Sequence, residues 1–267
     1  MEKAGKVRPK KFLGQHFLND QNIARKIVDT LDLQEKSVLE IGPGMGVLTK
    51  FLVEKDNIDL KLIELDRESV AYLKDHYPSL TENIVEGDFL QLDLRHVFSG
   101  RFSVIGNFPY NISSQIFFKV LDHRDQITQV VGMLQKEVAD RMAAKHGNKV
   151  YGILSVLLQA YYRVDYLFKV SPGVFIPPPK VMSAVIRLTR NDRKQLDCDE
   201  KLFTQVVKQG FNNRRKTLRN ALKNLNLAAE VSTLKLLDNR AEQLSVDEFI
   251  HLTKLIENSR AGTHGRI

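Results

Sequence analysis

The chain has 267 residues and carries 40 Lys and Arg against 32 Asp and Glu, a formal net charge of +8. Its length suits one large domain and a small one, and 43% hydrophobic residues exclude a disordered or collagen-like chain. No apolar run can cross a bilayer, and the single cysteine, Cys198, excludes an internal disulfide and a cysteine-based zinc site. We expect a cytoplasmic protein with no metal and no membrane contact, and the positive charge favours a polyanionic partner such as nucleic acid.

The chain begins with a basic arm, residues 1–11, which lacks the apolar stretch of a secretory signal. Asn19 and Asp20 are typical helix caps, and apolar residues at helical spacing follow them. Short apolar runs then alternate with helical patterns, which predicts a mainly parallel sheet with helices on both faces. The predicted strands are 37–41, 60–65, 83–86, 103–106 and 181–188, and the predicted helices are 46–56, 67–76 and 112–121.

The last third of the chain differs in pattern. Pro177–Pro179 forbid a helix and a central strand, so they predict a rigid loop. Residues 190–200 are polar and without periodicity, and the chain after them is helical in pattern, with a capping box at Ser245 and Glu248. We therefore predict an α/β domain over residues 1–190, including the basic arm, and a small helical domain over residues 191–267.

Three glycines, at 42, 44 and 46, follow the first predicted strand, and Glu40 stands just before them. Glycines there let the backbone turn sharply and approach a ligand closely. Their spacing differs from the dinucleotide-binding pattern G-x-G-x-x-G, and a neighbouring acid suits a ligand with an amino group better than a pyrophosphate. The loop therefore favours S-adenosylmethionine over a nicotinamide dinucleotide, although a tight strand-to-helix turn alone would also explain the glycines.

Acidic residues stand at the ends of the next two predicted strands. Glu64 can accept hydrogen bonds from both hydroxyls of a ribose, and Asp88 can accept one from the exocyclic amine of adenine. Each alone is more typical of a solvated strand end. Because the carboxyl ends of parallel strands meet at one edge, the ordered set with Glu40 predicts a single cofactor crevice.

The residues after the fourth predicted strand, Asn107-Phe108-Pro109-Tyr110, are typical of methylation at an exocyclic amino nitrogen. Such a nitrogen is a poor nucleophile because its lone pair is delocalised into the ring. The side-chain carbonyl of Asn107 and the backbone carbonyl of Phe108 can accept its two N–H bonds and free the lone pair. Pro109 fixes the backbone, and Tyr110 can stack on a flipped base. Taken alone, these residues also fit an ordinary turn.

Between Val206 and Asn224 there are six basic residues and no acid. The four-residue spacing of Arg215, Arg219 and Lys223 predicts one basic helix face, opposite an apolar stripe. We interpret this face as a site for RNA phosphates, with a merely solvated helix face as the alternative. The candidate RNA-binding residues are Arg214, Arg215, Lys216, Arg219 and Lys223.

These motifs together resemble the ribosomal RNA adenine N6-dimethyltransferases, and the resemblance runs from Lys11 to about residue 256. It is carried by passages that include FLGQHFLND (12–20), LEIGPGMGVLT (39–49), GNFPYNISS (106–114), FIPPPKVMSAVIRL (175–188) and FNNRRKTLRNAL (211–222). It implies a class I S-adenosylmethionine-dependent methyltransferase fold with a Rossmann-like, mainly parallel sheet. The later passages are more similar to the small-subunit branch, which implies dimethylation of two adjacent adenines in the 3′-terminal hairpin loop of small-subunit RNA, a role in small-subunit assembly, and a monomer.

The resemblance also implies roles for individual residues. The cofactor-binding set is His16, Leu18, Glu40, Gly42, Gly44, Glu64, Asp88 and Asn107, with Gly42 at the methionine part, Glu64 at the ribose and Asp88 at the adenine. The catalytic set is Asn107, Pro109, Tyr110 and Phe175, with Phe175 stacking on the target adenine opposite Tyr110. Without the resemblance, Phe175 is more typical of a phenylalanine in the core. Phe108 replaces the leucine usual in the family, and His16 stands where many relatives have asparagine.

Other functions remain open at this stage. One is a large-subunit adenine methyltransferase of the same fold, and a second is a DNA adenine methyltransferase with the same four-residue motif. A third is a non-catalytic ribosome assembly or transcription factor on this scaffold, which would be expected to have lost part of the cofactor or Asn107–Tyr110 motifs. A nicotinamide-dependent dehydrogenase conflicts with the glycine spacing.

Overall fold

The computed structural model describes residues 7–264, with side chains to residue 260, so the first part of the predicted basic arm lies outside the described residues. The strands are β1 (Phe17–Leu18), β2 (Ser37–Ile41), β3 (Asp59–Glu64), β4 (Ile84–Glu86), β5 (Phe102–Asn107), β6 (Ile127–Gln135), β7 (Tyr162–Val170), β8 (Phe175–Ile176) and β9 (Ser183–Arg190). The helices are α1 (Gln21–Asp29), α2 (Thr49–Leu52), α3 (Arg67–His76), α4 (Ser113–Asp122), α5 (Lys136–Ala143), α6 (Ile153–Gln159), α7 (Glu200–Asn212), α8 (Leu218–Ala221), α9 (Ala229–Ser232) and α10 (Val246–His264).

Seven strands form one sheet in the order β4-β3-β2-β5-β6-β9-β7, and β1 pairs with β8 in a separate two-stranded sheet. The pairs from β4 to β6 are all parallel, and β9 runs antiparallel to β6. The predicted mainly parallel sheet is therefore confirmed. Its register sets Glu64 beside Glu86, and it brings the carboxyl ends of β2, β3, β4 and β5 to one edge.

The chain forms two compact units. The first contains the described residues up to Ala139 together with Val164–Arg190, and the second contains Asp140–Arg163 together with the described residues from Asn191 onward. The chain thus enters the second unit twice. The predicted division at residues 190 and 191 assigns Asp140–Arg163 to the first domain, whereas the compact units place that segment with the C-terminal helices.

The core of the first unit is made by the buried strands and the apolar faces of the helices beside them. Leu39 and Leu62 are fully buried, and α1 contributes Ala24, Ile27 and Val28. Burial of each such Ile, Val or Leu side chain stabilises the fold by roughly 1.5–3 kcal/mol. The start of α1 is fixed as predicted, because the carboxylate of Asp20 accepts hydrogen bonds from the amides of Asn22 and Ile23 at 2.9 and 3.0 Å.

Two predicted helices differ from the structure. The helix expected over 46–56 is limited to Thr49–Leu52. Its start is delayed because Gly46 adopts a left-handed φ of 75°, and the residues from 44 to 48 form turns. The continuous basic face expected on one helix is wrong, since α7 ends at Asn212 and α8 begins only at Leu218. Arg215 lies in the turn between them. The apolar stripe opposite is confirmed as buried: Leu218, Ala221, Leu222 and Leu225.

The predicted capping box opens α10. Ser245 Oγ accepts a hydrogen bond from the Glu248 amide at 3.2 Å, and the Glu248 carboxylate accepts one from the Ser245 amide at 2.7 Å. Over residues 7–264 no helix is both long and apolar enough to span a bilayer. Within the same part of the chain, no group of three or more His, Cys, Asp or Glu side chains is placed to hold a metal ion.

Candidate active site

A cleft of the first unit lies at the carboxyl ends of the parallel strands. Its walls come from the glycine loop, from the ends of β3, β4 and β5, and from residues 13–17. Most of the predicted site residues border this cleft: His16, Gly42, Gly44, Glu64, Asp88, Asn107, Pro109 and Tyr110.

The three glycines of the loop all adopt left-handed backbone conformations, with φ values of 65°, 56° and 75°. A Cβ atom on Gly44 would lie 2.8 Å from the ring of Phe17, and one on Gly46 would lie 2.6 Å from the ring of Tyr77. A Cβ on Gly42 would meet no atom within 4 Å. Packing therefore requires glycine at positions 44 and 46, whereas Gly42 presents open space to a ligand.

Glu64 joins the end of β3 to the glycine loop. Its Oε2 accepts a hydrogen bond from the Gly44 amide and its Oε1 accepts one from the Asp66 amide, both at 2.9 Å. The side chain is almost fully buried, and this burial raises the pKa of Glu64 although the backbone amides oppose the shift. The carboxyl group is thus held in one orientation at the wall of the cleft.

Asp88 occupies the corresponding position after β4. Its Oδ1 accepts a hydrogen bond from the Leu90 amide at 2.8 Å, and its backbone carbonyl accepts one from the Gln91 amide at 3.0 Å. The loop that it begins lines the cleft with Gly87, Phe89 and Leu90. An acceptor and an apolar surface therefore lie side by side, as the edge and face of a purine require.

Asn107 at the end of β5 has a fixed amide. Its Nδ2 donates to the backbone carbonyl of His16 at 2.8 Å, so the carbonyl Oδ1 is the atom that this side chain can offer to a substrate amine. The His16 ring donates from Nδ1 to the Pro177 carbonyl at 2.8 Å. That ring also stacks on Tyr110 with 5.3 Å between centroids. His16 therefore holds both Asn107, through its backbone carbonyl, and Tyr110, through its ring.

Tyr110 is itself anchored, because its hydroxyl and that of Ser183 form a hydrogen bond. Burial raises the pKa of Tyr110, so the phenol stays neutral at ordinary pH. The ring of Phe108 is 1% exposed and contacts Phe117 edge-on at 5.7 Å. A Cβ on Gly106 or Gly132 would lie 2.8 or 2.4 Å from the Phe108 ring, so glycine at these two positions leaves room for that ring.

Three predicted site residues lie elsewhere. Glu40 is buried behind the glycine loop, where its Oε2 accepts a hydrogen bond from Thr49 Oγ1 at 2.6 Å and burial raises its pKa to about 8. It borders a smaller cavity, which Leu18 also lines. Leu18 and Phe175 are paired across β1 and β8 and are 4% and 2% exposed within the apolar core. This placement does not support stacking of Phe175 on a substrate base.

Sequence reasoning missed an ion-pair cluster beside the cleft. The Lys10 ammonium binds the carboxylate of Asp66, lies 3.1 Å from that of Glu68, and so fastens the segment that leads to residues 13–17. Ser69 Oγ donates to Asp66 Oδ2 at 2.9 Å. Burial alone would raise the pKa of Asp66, but hydrogen bonds from Lys10 and Ser69 outweigh it and lower the pKa. The signal available in the sequence was Asp66, two residues after Glu64.

The predicted RNA-binding residues fall into two groups. Arg219 is bound within the second unit. Its guanidinium lies 2.6 Å from the Asp238 carboxylate and donates a hydrogen bond to the Leu234 carbonyl at 3.2 Å. Arg214 donates to the carbonyl of Tyr151 at 3.1 Å. The exposed side chains are those of Arg215, Lys216 and Lys223.

The sheet order, the left-handed glycine loop and the acceptors at the ends of β3, β4 and β5 define a class I methyltransferase fold. The open face of Gly42, with Glu64 and Asp88 beyond it, fits a ligand that carries an amino acid, a ribose and an adenine, and the cofactor is S-adenosylmethionine. Comparison with known proteins defines the class further. A sequence model of the family "Ribosomal RNA adenine dimethylase" matches residues 7–258, and the chain belongs to this family.

Relatives and solved structures agree with this assignment. The "Ribosomal RNA small subunit methyltransferase A" of Parabacteroides distasonis is 62% identical over 250 residues, covering 92% of this chain and 93% of the relative. The protein of the same name from Cytophaga hutchinsonii is 59% identical, covering 94% and 98%. The structure of a dimethyladenosine transferase from Plasmodium falciparum has a TM-score of 0.75 at 25% identity, covering 89% and 96%.

Proposed function

We propose that this chain dimethylates N6 of two adjacent adenines in the 3′-terminal hairpin loop of small-subunit (16S) ribosomal RNA. The proposal is supported by the small-subunit names of relatives that are 59% and 62% identical over nearly the whole chain. It also includes a role in assembly of the small subunit, a location in the cytoplasm and a monomeric enzyme, all of which follow from the resemblance.

The observation that carries the chemistry is the hydrogen bond from Asn107 Nδ2 to the His16 carbonyl. With its nitrogen held there, the side chain offers Oδ1 to one N–H of the adenine amine, and the carbonyl of Phe108 accepts the other. These two bonds favour a pyramidal nitrogen with a free lone pair, so the residues act by positioning the amine. Pro109 fixes the Phe108 carbonyl, and Tyr110 stacks on the flipped base.

The cofactor-binding residues divide the cleft by chemistry. Gly42 leaves space for the amino acid part, the Glu64 carboxyl group accepts the ribose hydroxyls, and Asp88 accepts the adenine amine. When bound, S-adenosylmethionine supplies an electrophilic methyl group. In this proposal Glu40 and Leu18 support the glycine loop from the smaller cavity that they line. Phe175 supports β1, which follows His16 directly in the chain.

RNA phosphates are bound by Arg215, Lys216 and Lys223, the exposed members of the basic segment. Arg214 and Arg219 stabilise the second unit through their bonds to backbone carbonyls and Asp238. Recognition then depends on the shape of the RNA and a splayed loop rather than on base reading in a helix.

The test is methyl transfer from labelled S-adenosylmethionine to unmethylated small-subunit particles, with large-subunit RNA and adenine-containing DNA in parallel. Products are digested to nucleosides and identified by mass. Asn107→Ala is expected to lower transfer by at least about 100-fold, the effect of removing a group that acts at the reacting centre. Asn83→Ala is the matched control, because Asn83 Nδ2 also donates to a backbone carbonyl, that of Leu60 at 2.8 Å, but outside the cleft wall.

Dimethyladenosine formed only on the small-subunit substrate supports the proposal. Methyl groups on large-subunit RNA would support the proposed chemistry and contradict the proposed substrate. Binding of S-adenosylhomocysteine without transfer to any substrate would favour an assembly factor. Equal losses in the Asn107 and Asn83 variants would show that Asn107 only supports the fold.

A further inference from the structure

The wall of the cleft that follows β4 has little support from its own strand. β4 is only three residues long and lies at the edge of the sheet. The loop after it supplies Gly87, Asp88, Phe89 and Leu90 to the cleft. The amide of Gly87 donates to the Glu64 carbonyl on β3 at 2.9 Å, but beyond Gly87 the backbone bonds are local: the amides of Leu90 and Gln91 both donate back to Asp88. What holds this loop against the rest of the unit therefore decides how well the cleft is formed before a ligand binds.

Lys119 on α4 supplies that support. Its Nζ donates to the carbonyl of Leu90 at 3.0 Å and also to that of Leu92. The same ammonium lies 5.2 Å from the ring centroid of Phe89, within the range of a cation–π contact. One ammonium thus binds three residues of the loop. Hydrogen bonds from a charged donor are about twice as strong as neutral ones, so this is a firm attachment.

The attachment reaches Asp88 through a single residue. The amide of Leu90 donates to Asp88 Oδ1 at 2.8 Å, while the carbonyl of Leu90 is held by Lys119. Fixing Leu90 therefore fixes the carboxylate that faces the cleft. Lys119 does not border the cleft. Its influence on a bound molecule must pass through the loop.

We infer that Lys119 is a positioning residue that preorganises the adenine side of the cleft for S-adenosylmethionine. The inference rests on the proposed placement of adenine beside Asp88. Without the ammonium, the two carbonyls lose their donor and the loop samples other conformations. The apparent dissociation constant then rises in inverse proportion to the fraction of competent loop. Methyl transfer itself is unaffected, because Asn107 and the backbone that follows it are held by other contacts.

Lys61 provides a matched control. Its Nζ donates to the carbonyl of Val97 and lies 4.9 Å from the ring centroid of Phe98, which is the same combination of contacts. Lys61, Val97 and Phe98 are not part of the cleft wall. Lys61→Met therefore removes a similar attachment from the same unit and reports the effect of lost stability alone.

The experiment measures calorimetric binding of S-adenosylhomocysteine, and of methylthioadenosine, which lacks the amino acid part, to the full-length protein. We expect Lys119→Met to raise both dissociation constants by about ten-fold, equivalent to the loss of about one charged hydrogen bond. Lys119→Arg, which keeps a donor cation, is expected to recover most of the affinity. In the transfer assay Lys119→Met raises KM for S-adenosylmethionine and leaves kcat unchanged. Lys61→Met changes neither dissociation constant.

Asp88→Asn separates this inference from the proposal beneath it. If Asp88→Asn weakens binding while Lys119→Met binds like the wild type, the role of Lys119 is overturned and the placement of adenine stands. If Asp88→Asn also binds like the wild type, the placement itself is wrong and the inference falls with it. Equal weakening by Lys119→Met and Lys61→Met, or a loss confined to kcat, would likewise overturn the role of Lys119.

Discussion

An alanine at position 42 would carry its methyl group into the open face of the glycine loop, where no atom lies within 4 Å. Its φ of 65° would cost an L-residue about 1–2 kcal/mol. We expect Gly42→Ala to lower stability by this amount and also to raise the dissociation constant for S-adenosylhomocysteine by at least about ten-fold, because the methyl group occupies ligand space. Chemical unfolding and calorimetry measure the two effects.

Gly147→Ala is the control for Gly42→Ala. Gly147 has a φ of 82° and open space at its Cβ position, and it is exposed outside the cleft. It should show the same loss of stability and unchanged ligand affinity. If the two variants bound the ligand equally well, Gly42 would not face the cofactor.

The ion pair of Lys10 and Asp66 gives stability a defined pH dependence. The folded-state pKa of Asp66 is lowered from 3.8 and that of Lys10 is raised from 10.5. The stabilisation is therefore complete between about pH 4 and pH 10, and it is lost as the pH falls through the folded pKa of Asp66 or rises through that of Lys10. Lys10→Met should be less stable than wild type at pH 7, with a smaller difference at pH 3, as urea unfolding would show.

The exposed neighbour Lys11 serves as the comparison for Lys10. Lys11→Met removes the same charge and should leave stability nearly unchanged at both pH values. A difference between Lys10→Met and wild type that stays constant from pH 7 to pH 3 would contradict the role of Asp66.

Residues at strand ends were predictable because their position follows from topology alone. Once β3, β4 and β5 are parallel strands of the same sheet, Glu64, Asp88 and Asn107 must meet at one edge. Phe175 was not predictable in this way. A core position is the ordinary expectation for a phenylalanine, but its place depends on the pairing of β8 with β1. These two segments are far apart in the chain, and no local pattern carries that information.

At the scale of elements, the capping box of α10 is open to a direct measurement. Ser245→Ala removes both hydrogen bonds that its hydroxyl makes with Glu248, so it should lower the free energy of unfolding by about 1 kcal/mol. Asn258→Ala, at an exposed position of the same helix, should change it by less than about 0.5 kcal/mol. Thermal unfolding of both variants at pH 7 measures the two losses. Similar losses of unfolding free energy would mean that the capping box does not stabilise the helix.

Helix boundaries were predictable where a side chain fixes them and not where the backbone does. α3 runs over Arg67–His76 as expected, because Asp66 caps its first turn. The basic segment was misjudged because a spacing of four residues indicates a helix face only if the helix is continuous. Asn213 leaves the helical region with φ −112° and ψ 46°, and the charge pattern contains no sign of that break.

For the whole molecule, affinity for RNA should depend on the exposed cations rather than on the total charge. Arg215→Ala combined with Lys216→Ala should weaken binding of small-subunit RNA and reduce the slope of log K against log salt by about 1.4–1.8. Filter binding across a salt series measures this slope. Lys201→Ala combined with Lys235→Ala removes the same charge from exposed positions outside the basic segment and should change the slope less. Equal slopes in the two double variants would contradict a localised RNA site.

The double entry of the chain into the second unit limits how the enzyme can be cut or recombined. α6 packs on α7 and α10, yet it belongs to Asp140–Arg163 and is separated from them in sequence by Val164–Arg190. A fragment that begins at residue 191 would therefore expose the surface that α6 covers. Chimeras that transplant the helical unit between members of this family need two exchanged segments and three junctions, at residues 139/140, 163/164 and 190/191. A single crossover near residue 190 would pair α6 of one parent with α7 and α10 of the other.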